Sequence, residues 1–267
     1  MAKSKKKKIF YIAILLLLNA GLAYSLLIER SSYVLFANVG QGDASLIRTK
    51  ENQIILIDGG PTSKILEILG RELPYWQRKI DLVVLTHPHS DHMNGLIDVI
   101  KKYEIGMILT NGVKSSESEF KEWERVIREK KVLTKTLVKG TKIILNNEDK
   151  IEVLWPQDPH FEEKEQNDSS LVLKLDTRGK DFLFTGDAGF EVLNKLFQVN
   201  AEVLKVPHHG SKSGLDKEVL EKINPKTAVI EVGENSYGHP ASQIIDLLKL
   251  FKVKIFRTDE GTVRIGY

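Results

Sequence analysis

The sequence predicts an α/β (α+β) layered sandwich, sheets packed between helices, behind a separate apolar segment at the N-terminus. Three observations carry that prediction. Short apolar runs rich in Val, Ile and Leu recur across residues 33–267, each about the length of a strand. Amphipathic stretches of helical period interleave with them. The runs fall into two β-rich halves, each with its own helices, although no internal repeat motif is visible. Interleaved strand and helix patterns build sheets covered by helices.

Residues 1–8 form a basic segment, with five lysines among residues 3–8. Residues 9–28, IFYIAILLLLNAGLAYSLLI, carry no charge. As a helix they are just long enough for the roughly 30 Å hydrocarbon core of a bilayer. Lysines ahead of such a run stay in the cytoplasm, so the chain beyond Glu29 faces outward. The expectation is a signal anchor, a transmembrane helix holding an extracytoplasmic domain on the cell membrane. The alternative is secretion after cleavage, with Ala23 and Ser25 at the −3 and −1 positions. Leu26, Leu27 and Ile28 prolong the apolar run past that point and favour the anchor.

The domain expected over residues 33–267 reads as strands at 33–39, 44–49, 53–58, 80–86, 105–110, 141–146 and 151–155 in its first part. Strands at 170–176, 181–186, 202–207, 227–232, 253–258 and 262–267 follow. Helices are expected at 63–73, 94–103, 116–130, 215–223 and 241–251. In the third of these, Phe120, Trp123, Val126 and Ile127 recur at helical spacing and mark a core stripe. The polar stretch 156–170, with two prolines, reads as a loop.

Composition bounds the chemistry. The 267 residues include no cysteine, which excludes disulfides, thiolate metal sites and thiol nucleophiles. Any metal site must use histidines and carboxylates. The net charge of +3 comes from the N-terminus: without its five lysines, the 39 basic residues fall to 34 against 36 acidic ones. That balance argues against a uniformly basic nucleic-acid binder, but not against a local basic groove.

The chemistry concentrates in LTHPHSDHMNG, residues 85–95, where His87, His89 and His92 are three of the seven histidines and Asp91 lies among them. The stretch follows an apolar strand, and the C-terminal ends of strands are where α/β folds build sites. Read as a loop before a helix opening at Asn94 and Gly95, it lets His87 and His89 converge on one ion. Asp91 and His92 then turn toward a second. Imidazole and carboxylate ligands suit Zn2+, Mn2+ or Fe2+.

With its H-x-H-x-D-H spacing, the chain over about 33–267 resembles the metallo-β-lactamase superfamily. FANVGQGDASLI (36–47) and VPHHGSKSG (206–214) are similar to the ComEC-type competence hydrolase branch of it. The resemblance implies a four-layer αββα sandwich holding two divalent metal ions, Zn2+ or Mn2+. It implies that His87, His89, Asp91, His92, Asp187 and His209 ligate metal, with Asp187 of LFTGD bridging the ions. Asp58 of LIDGG would orient a ligating histidine from behind.

The histidine of the family's third motif is missing. Asn167, Asp168 and Ser169 stand at that place, and His160 lies nearby in the loop. The fifth motif leaves a choice among His208, His209 and His239; with His209 as the ligand, His208 and His239 join Asp91 as catalytic groups. Gln41 or Asp43 of VGQGD reaches the metal rim, or the stretch is plain turn chemistry. Ser211, Lys212 and Ser213, with backbone amides beside Gly210 and Gly214, would cradle an anionic substrate oxygen.

The implied reaction is hydrolysis by metal-activated water. The implied partners are a phosphodiester substrate, in its specific form single-stranded DNA, and a membrane through residues 9–28. A lactam, lactone or thioester hydrolase of the same superfamily is the alternative enzyme. A non-catalytic exported DNA-binding or accessory protein is the alternative from another class.

Overall fold

The structure is a computed structural model that describes residues 2–27, 32–145, 149–158, 166–197 and 199–267. The chain divides into two compact units, Met1–Ser31 and Ser32–Tyr267. In the first, α1 (Ala2–Leu27) runs through both the lysines and the apolar stretch, with no break between them. Leu15, Leu16, Leu17 and Leu18 are exposed on it. Among the described residues, no helix is long and apolar enough to cross a membrane. The side chains of residues 22–31, the end of the expected span, lie outside that description.

The second unit begins with β1 (Tyr33–Phe36), β2 (Ser45–Arg48), β3 (Ile54–Ile57), α2 (Lys64–Glu72) and β4 (Lys79–Leu85). It continues with α3 (Ser90–Lys102), β5 (Glu104–Thr110), α4 (Ser118–Lys130) and β6 (Thr134–Thr136). The other half runs β7 (Lys142–Ile144), β8 (Lys150–Trp155), β9 (Val172–Asp176), β10 (Phe182–Phe184), α5 (Phe190–Leu193) and β11 (Val203–Lys205). After these come α6 (Lys217–Ile223), β12 (Thr227–Ile230), α7 (Ser242–Leu250), β13 (Lys254–Arg257) and β14 (Val263–Gly266). Only β6 and α5 lack a signal in the sequence. The first is a fully exposed edge strand and the second a single turn, both too short to show a period.

Each half forms a seven-stranded sheet, ordered β14-β1-β2-β3-β4-β5-β6 and β13-β12-β11-β10-β9-β8-β7. In both, antiparallel pairing gives way to a parallel run: β3 to β6 in the first and β10 to β13 in the second. The final strand crosses back to pair with β1. Inner faces meet over Val34, Phe36, Ile47, Leu173 and Phe182. The first sheet's outer face packs on α2, α3 and α4 through Ile65, Leu96, Ile100 and Trp123; the second packs on α5, α6 and α7 through Val192, Leu220 and Ile244. Burying each such side chain contributes roughly 1.5–3 kcal/mol. The result is the four-layer αββα sandwich.

One expected boundary is corrected. Helix α3 begins at Ser90, not at Asn94, so Asp91 and His92 occupy its first turn and not a loop. The helix dipole favours the Asp91 carboxylate there. Two glycines allow this helix to lie on the turn after β3. A Cβ on Gly95 would stand 1.9 Å from the Gly59 carbonyl oxygen, and one on Gly59 would stand 2.6 Å from the Leu96 nitrogen. With neither present, Gly59 N–H donates to the His92 carbonyl at 2.8 Å, and Gly95 N–H donates to the Gly60 carbonyl at 2.9 Å. This contact brings Asp58 beside His92.

Candidate metal centre

The parallel runs of both sheets end at one place, and the sequence-predicted residues collect there. After β4, the buried Thr86 donates its hydroxyl to Asp58 Oδ2 at 2.7 Å and its N–H to Asp58 Oδ1 at 2.8 Å. His92 Nδ1–H donates to the same Asp58 Oδ2 at 2.9 Å. Having given its proton to Asp58, Thr86 Oγ1 accepts from His87 Nδ1–H at 3.1 Å. That network leaves the lone pair of His87 on Nε2, where His89 Nδ1–H meets it at 3.1 Å. Asp58 therefore orients His92 directly and His87 through Thr86.

The second sheet supplies the opposing groups. Asp187 follows β10, and its N–H donates to the buried Ser170 hydroxyl at 3.1 Å. His208 and His209 follow β11 on a tight turn, at φ of 48° and 53°. Asp58 also has a positive φ, 58°. Such strain in residues other than glycine costs about 1–3 kcal/mol each and persists where surrounding structure enforces it. His209 Nδ1–H donates to the Glu231 carbonyl at 2.8 Å, and its Nε2 lies 3.2 Å from Asp91 Oδ2.

Asp91, His92, Asp187 and His209 each offer a ligand atom, all within 4.8 Å of one another. Asp187 Oδ2 lies 3.4 Å from His92 Nε2, 3.8 Å from His209 Nε2, and 3.9 Å from both His87 Nε2 and His208 Nε2. A central carboxylate facing four imidazoles is a donor set suited to divalent cations.

Buried charge in this cluster redistributes protons. Burial alone would lower His92, but Asp187, Asp91, Asp58 and Asp43 outweigh it and hold the imidazole well above its ordinary value. Burial likewise opposes His209, yet Asp187 and Asp43 push it up to about 10. Asp187 is held well below the carboxylate range: burial raises it, but His92 and His209 prevail. Burial and neighbouring His92 lower His87, which stays neutral with its Nε2 lone pair facing the cluster.

At the rim, a cavity of about 670 Å3 is lined by His89, Asp91, Asp187, His208, His209 and His239, with Gln41, Glu117, Asn167, Glu234 and Tyr237 around them. A neighbouring cavity of about 340 Å3 shares Asn167, Asp187 and His208 and adds Phe190, Glu191 and Ser213. His208 and His239 stack edge to face with centroids 5.6 Å apart. At the third-motif position Asn167 faces the cavity, Asp168 Oδ1 accepts from Gly189 N–H, and Ser169 accepts from Asn111. His160 lies outside the described residues.

Two amides of the GSKSG loop are used within its own turn. The Ser211 N–H donates to the His208 carbonyl and the Gly214 N–H to the Ser211 carbonyl, so the turn itself uses both amides. The Ser211 and Ser213 hydroxyls lie 3.2 Å apart, and of the three predicted side chains only Ser213 lines either cavity.

A family model described as the metallo-beta-lactamase superfamily matches residues 37–233. The chain belongs to that superfamily. It is 30% identical over 254 residues to ComE operon protein 3 of Bacillus subtilis (strain 168), covering 86% of this chain and 32% of that protein. It is 25% identical over 245 residues to competence protein ComA of Neisseria gonorrhoeae, covering 89% of this chain and 33% of the relative. The chain thus spans about a third of the length of these curated relatives. Among solved structures, the metallo-beta-lactamase fold protein YhfI from Bacillus subtilis superposes with a TM-score of 0.61 at 12% identity, over 88% of this chain and all of that one.

Within this metallo-β-lactamase fold, the groups that sequence reading overlooked lie beneath the cluster. Lys205 is 2% exposed; its ammonium pairs with Asp43 Oδ2 and donates to the Gly186 carbonyl at 2.9 Å. Asp43 Oδ1 also lies 3.3 Å from His209 Nδ1. The VGQGD stretch therefore brings Gln41 to the rim cavity and supplies Asp43 as a buried counter-charge behind the histidines, and Gly42 lets it press on Asp91: a Cβ there would stand 2.3 Å from the Asp91 carbonyl oxygen. Glu231 accepts from Ala44 N–H at 3.0 Å and from the Ser45 hydroxyl at 3.2 Å. Burial and nearby Asp43 push it up to about 8. The available signal was a charged residue inside each apolar run, EVLKVP and TAVIEV, where a buried charge requires a partner.

Proposed function

We propose that this chain is a two-metal phosphodiesterase that acts on single-stranded DNA. The observation that carries metal dependence is a pair of buried ligand atoms, His92 Nε2 and Asp187 Oδ1, with no hydrogen-bond partner inside the cluster. Unsatisfied buried polar atoms are costly, and a divalent cation satisfies both. His87 and His89 with Asp187 would hold one ion, and Asp91, His92, Asp187 and His209 the other. A divalent ion held there would acidify a bound water, to a pKa of about 7 in the case of Zn2+, and polarise the target oxygen. Asp58 and Thr86 keep the His92 and His87 lone pairs turned to the ions. Burial lowers His208, so at neutral pH it presents an N–H donor and no cation to the departing oxygen. His239 borders the same cavity and holds a second imidazole beside it. One relative's name, competence protein ComA, supports a competence-related role, and DNA as the substrate is our reading of it.

A second reading has its own observation. Among the described residues, the linings of the two cavities touching the cluster include no Lys or Arg, while Glu117, Glu234 and Glu191 border them. That suits a small lactone, lactam or thioester better than a polyanion. Assays on single-stranded DNA, bis-p-nitrophenyl phosphate and nitrocefin with Mn2+ and Zn2+ separate the readings. Turnover of the first two is expected; hydrolysis of nitrocefin alone overturns the proposal. A metal-raised melting temperature without turnover of any substrate would support the accessory protein.

The same proposal places the domain outside the cytoplasm, held by residues 9–28. Its support is the charge-free run behind the lysines and the exposed leucines of α1. Intact mass of membrane-extracted protein tests it, since loss of residues 1–25 would show cleavage and secretion.

A further inference from the structure

A third cavity, of about 530 Å3, lies between α4 and the C-terminal ends of β4, β5 and β6. That volume suits a small-molecule or single-nucleotide site. Leu85, Phe120, Trp123 and Ile127 line it with apolar and aromatic surface. Its remaining lining differs in charge from the two cavities at the cluster. Lys114, Arg128 and Lys131 border it, opposed among the lining residues by one carboxylate, Glu124, 4.0 Å from the Lys114 ammonium. Among the described residues, the two cavities at the cluster are bordered by glutamates, and of the three cavities this one alone has cations in its lining.

Its position fits the same path. Leu85, Thr110 and Thr136 are in register across the parallel strands, at the sheet edge that delivers His87 two residues later. A short hydrogen-bonded relay links its lining to the cluster. Asn111 donates to the Ser169 carbonyl at 2.9 Å, and the next residue, Ser170, accepts from the Asp187 N–H.

We infer that this cavity is the subsite for a nucleotide adjoining the scissile phosphodiester, so that the substrate is a single-stranded nucleic acid and not an isolated ester. The base lies on the apolar floor, and the backbone phosphate lies against Lys114, Arg128 and Lys131. An apolar, partly aromatic floor beside a cationic border is how single strands are held without sequence preference. The inference rests on the phosphodiesterase reading for the reaction, and on the cavity alone for the ligand.

The test uses the full chain and two kinds of variant at exposed positions. The triple charge reversal Lys114→Glu, Arg128→Glu, Lys131→Glu removes the cations. Thr134→Trp fills the cavity from its rim without changing charge. Cleavage of a short single-stranded oligonucleotide and of bis-p-nitrophenyl phosphate is measured, together with binding of the fluorescent oligonucleotide by anisotropy against salt. For the charge variant, oligonucleotide KM should rise about tenfold or more and the salt slope of binding should fall by about 1 per lost phosphate contact. Thr134→Trp should raise oligonucleotide KM with an unchanged salt slope, and both variants should leave bis-p-nitrophenyl phosphate turnover intact. Unchanged oligonucleotide KM in both overturns the subsite while sparing the phosphodiesterase. A loss confined to the charge variant also overturns it, because general electrostatics then explain the effect. Oligonucleotide binding that both variants weaken, in a protein that cleaves no phosphodiester, keeps the subsite and removes the phosphodiesterase. Absence of oligonucleotide binding by the parent chain overturns the subsite, and bis-p-nitrophenyl phosphate turnover then decides the phosphodiesterase by itself.

Discussion

On the first sheet's side of the metal centre, His87, His89, Asp91 and His92 come from six consecutive positions, held by one helix start against one turn. On the second sheet's side, Asp187, Lys205, His209 and Glu231 come from three parallel strands and the turns after them. The local half is set by contacts within a few residues: the Gly59 and Gly95 approach, the Thr86 relay and the Asp58 acceptor. The distributed half depends on strand order, which places β10, β11 and β12 side by side. It also carries the strained His208 and His209 turn and the one buried lysine among the described residues, Lys205. The difference teaches that the local half orients ligands, while the distributed half closes the cluster and balances its charge.

The largest expected effect comes from Asp187, the carboxylate that faces four imidazoles. Asp187→Ala should lose bound metal and all turnover; elemental analysis showing two metal equivalents retained would break the assignment. Next in size is the pair on the strained turn. His209→Ala should lose one metal equivalent, whereas His208→Ala should keep both and lower kcat by about 10²–10³-fold, the effect of losing one hydrogen-bond donor. The reverse pattern would exchange their roles.

Lys205 tests charge balance. Lys205→Met leaves buried Asp43 without its ammonium and Asp187 with one cation fewer, and should destabilise the metal-free protein by about 3–5 kcal/mol. Urea unfolding with saturating Mn2+ should show a smaller loss, because the ions neutralise Asp187, one of the two carboxylates Lys205 faces. Equal losses in both states would separate Lys205 from the metal centre.

The smallest effect is in proton linkage. His92 and His209 are raised by the surrounding carboxylates, so in the metal-free protein both keep protons at neutral pH. Ligation requires neutral imidazole, so metal uptake releases protons and apparent affinity climbs with pH. For His209 the climb ends near pH 10, the value to which it is pushed. Titration calorimetry in buffers of different ionisation enthalpy measures that release; none at pH 7 would contradict the protonated pair.

Sequence alone determined the alternation of strands and helices, the missing thiol chemistry and the crowding of His87, His89, Asp91 and His92 at one strand end. Periodicity and the H-x-H-x-D-H spacing act over a few residues, so they are legible without a fold. It also placed Asp58 and Asp187 at strand ends. Tertiary structure decided what those signals cannot reach. It moved Asp91 and His92 into the first turn of α3, because two glycines let the helix rest on the turn after β3. It turned Asp43 inward to Lys205 and drew Glu231 under the VGQGD stretch. It also tied up the Ser211 and Gly214 amides within their own turn. Each of these joins residues far apart in the chain, or sets one hydrogen-bond acceptor against another. Only the packed sheets specify such pairings, because a buried charge or amide takes whichever partner the fold brings within reach.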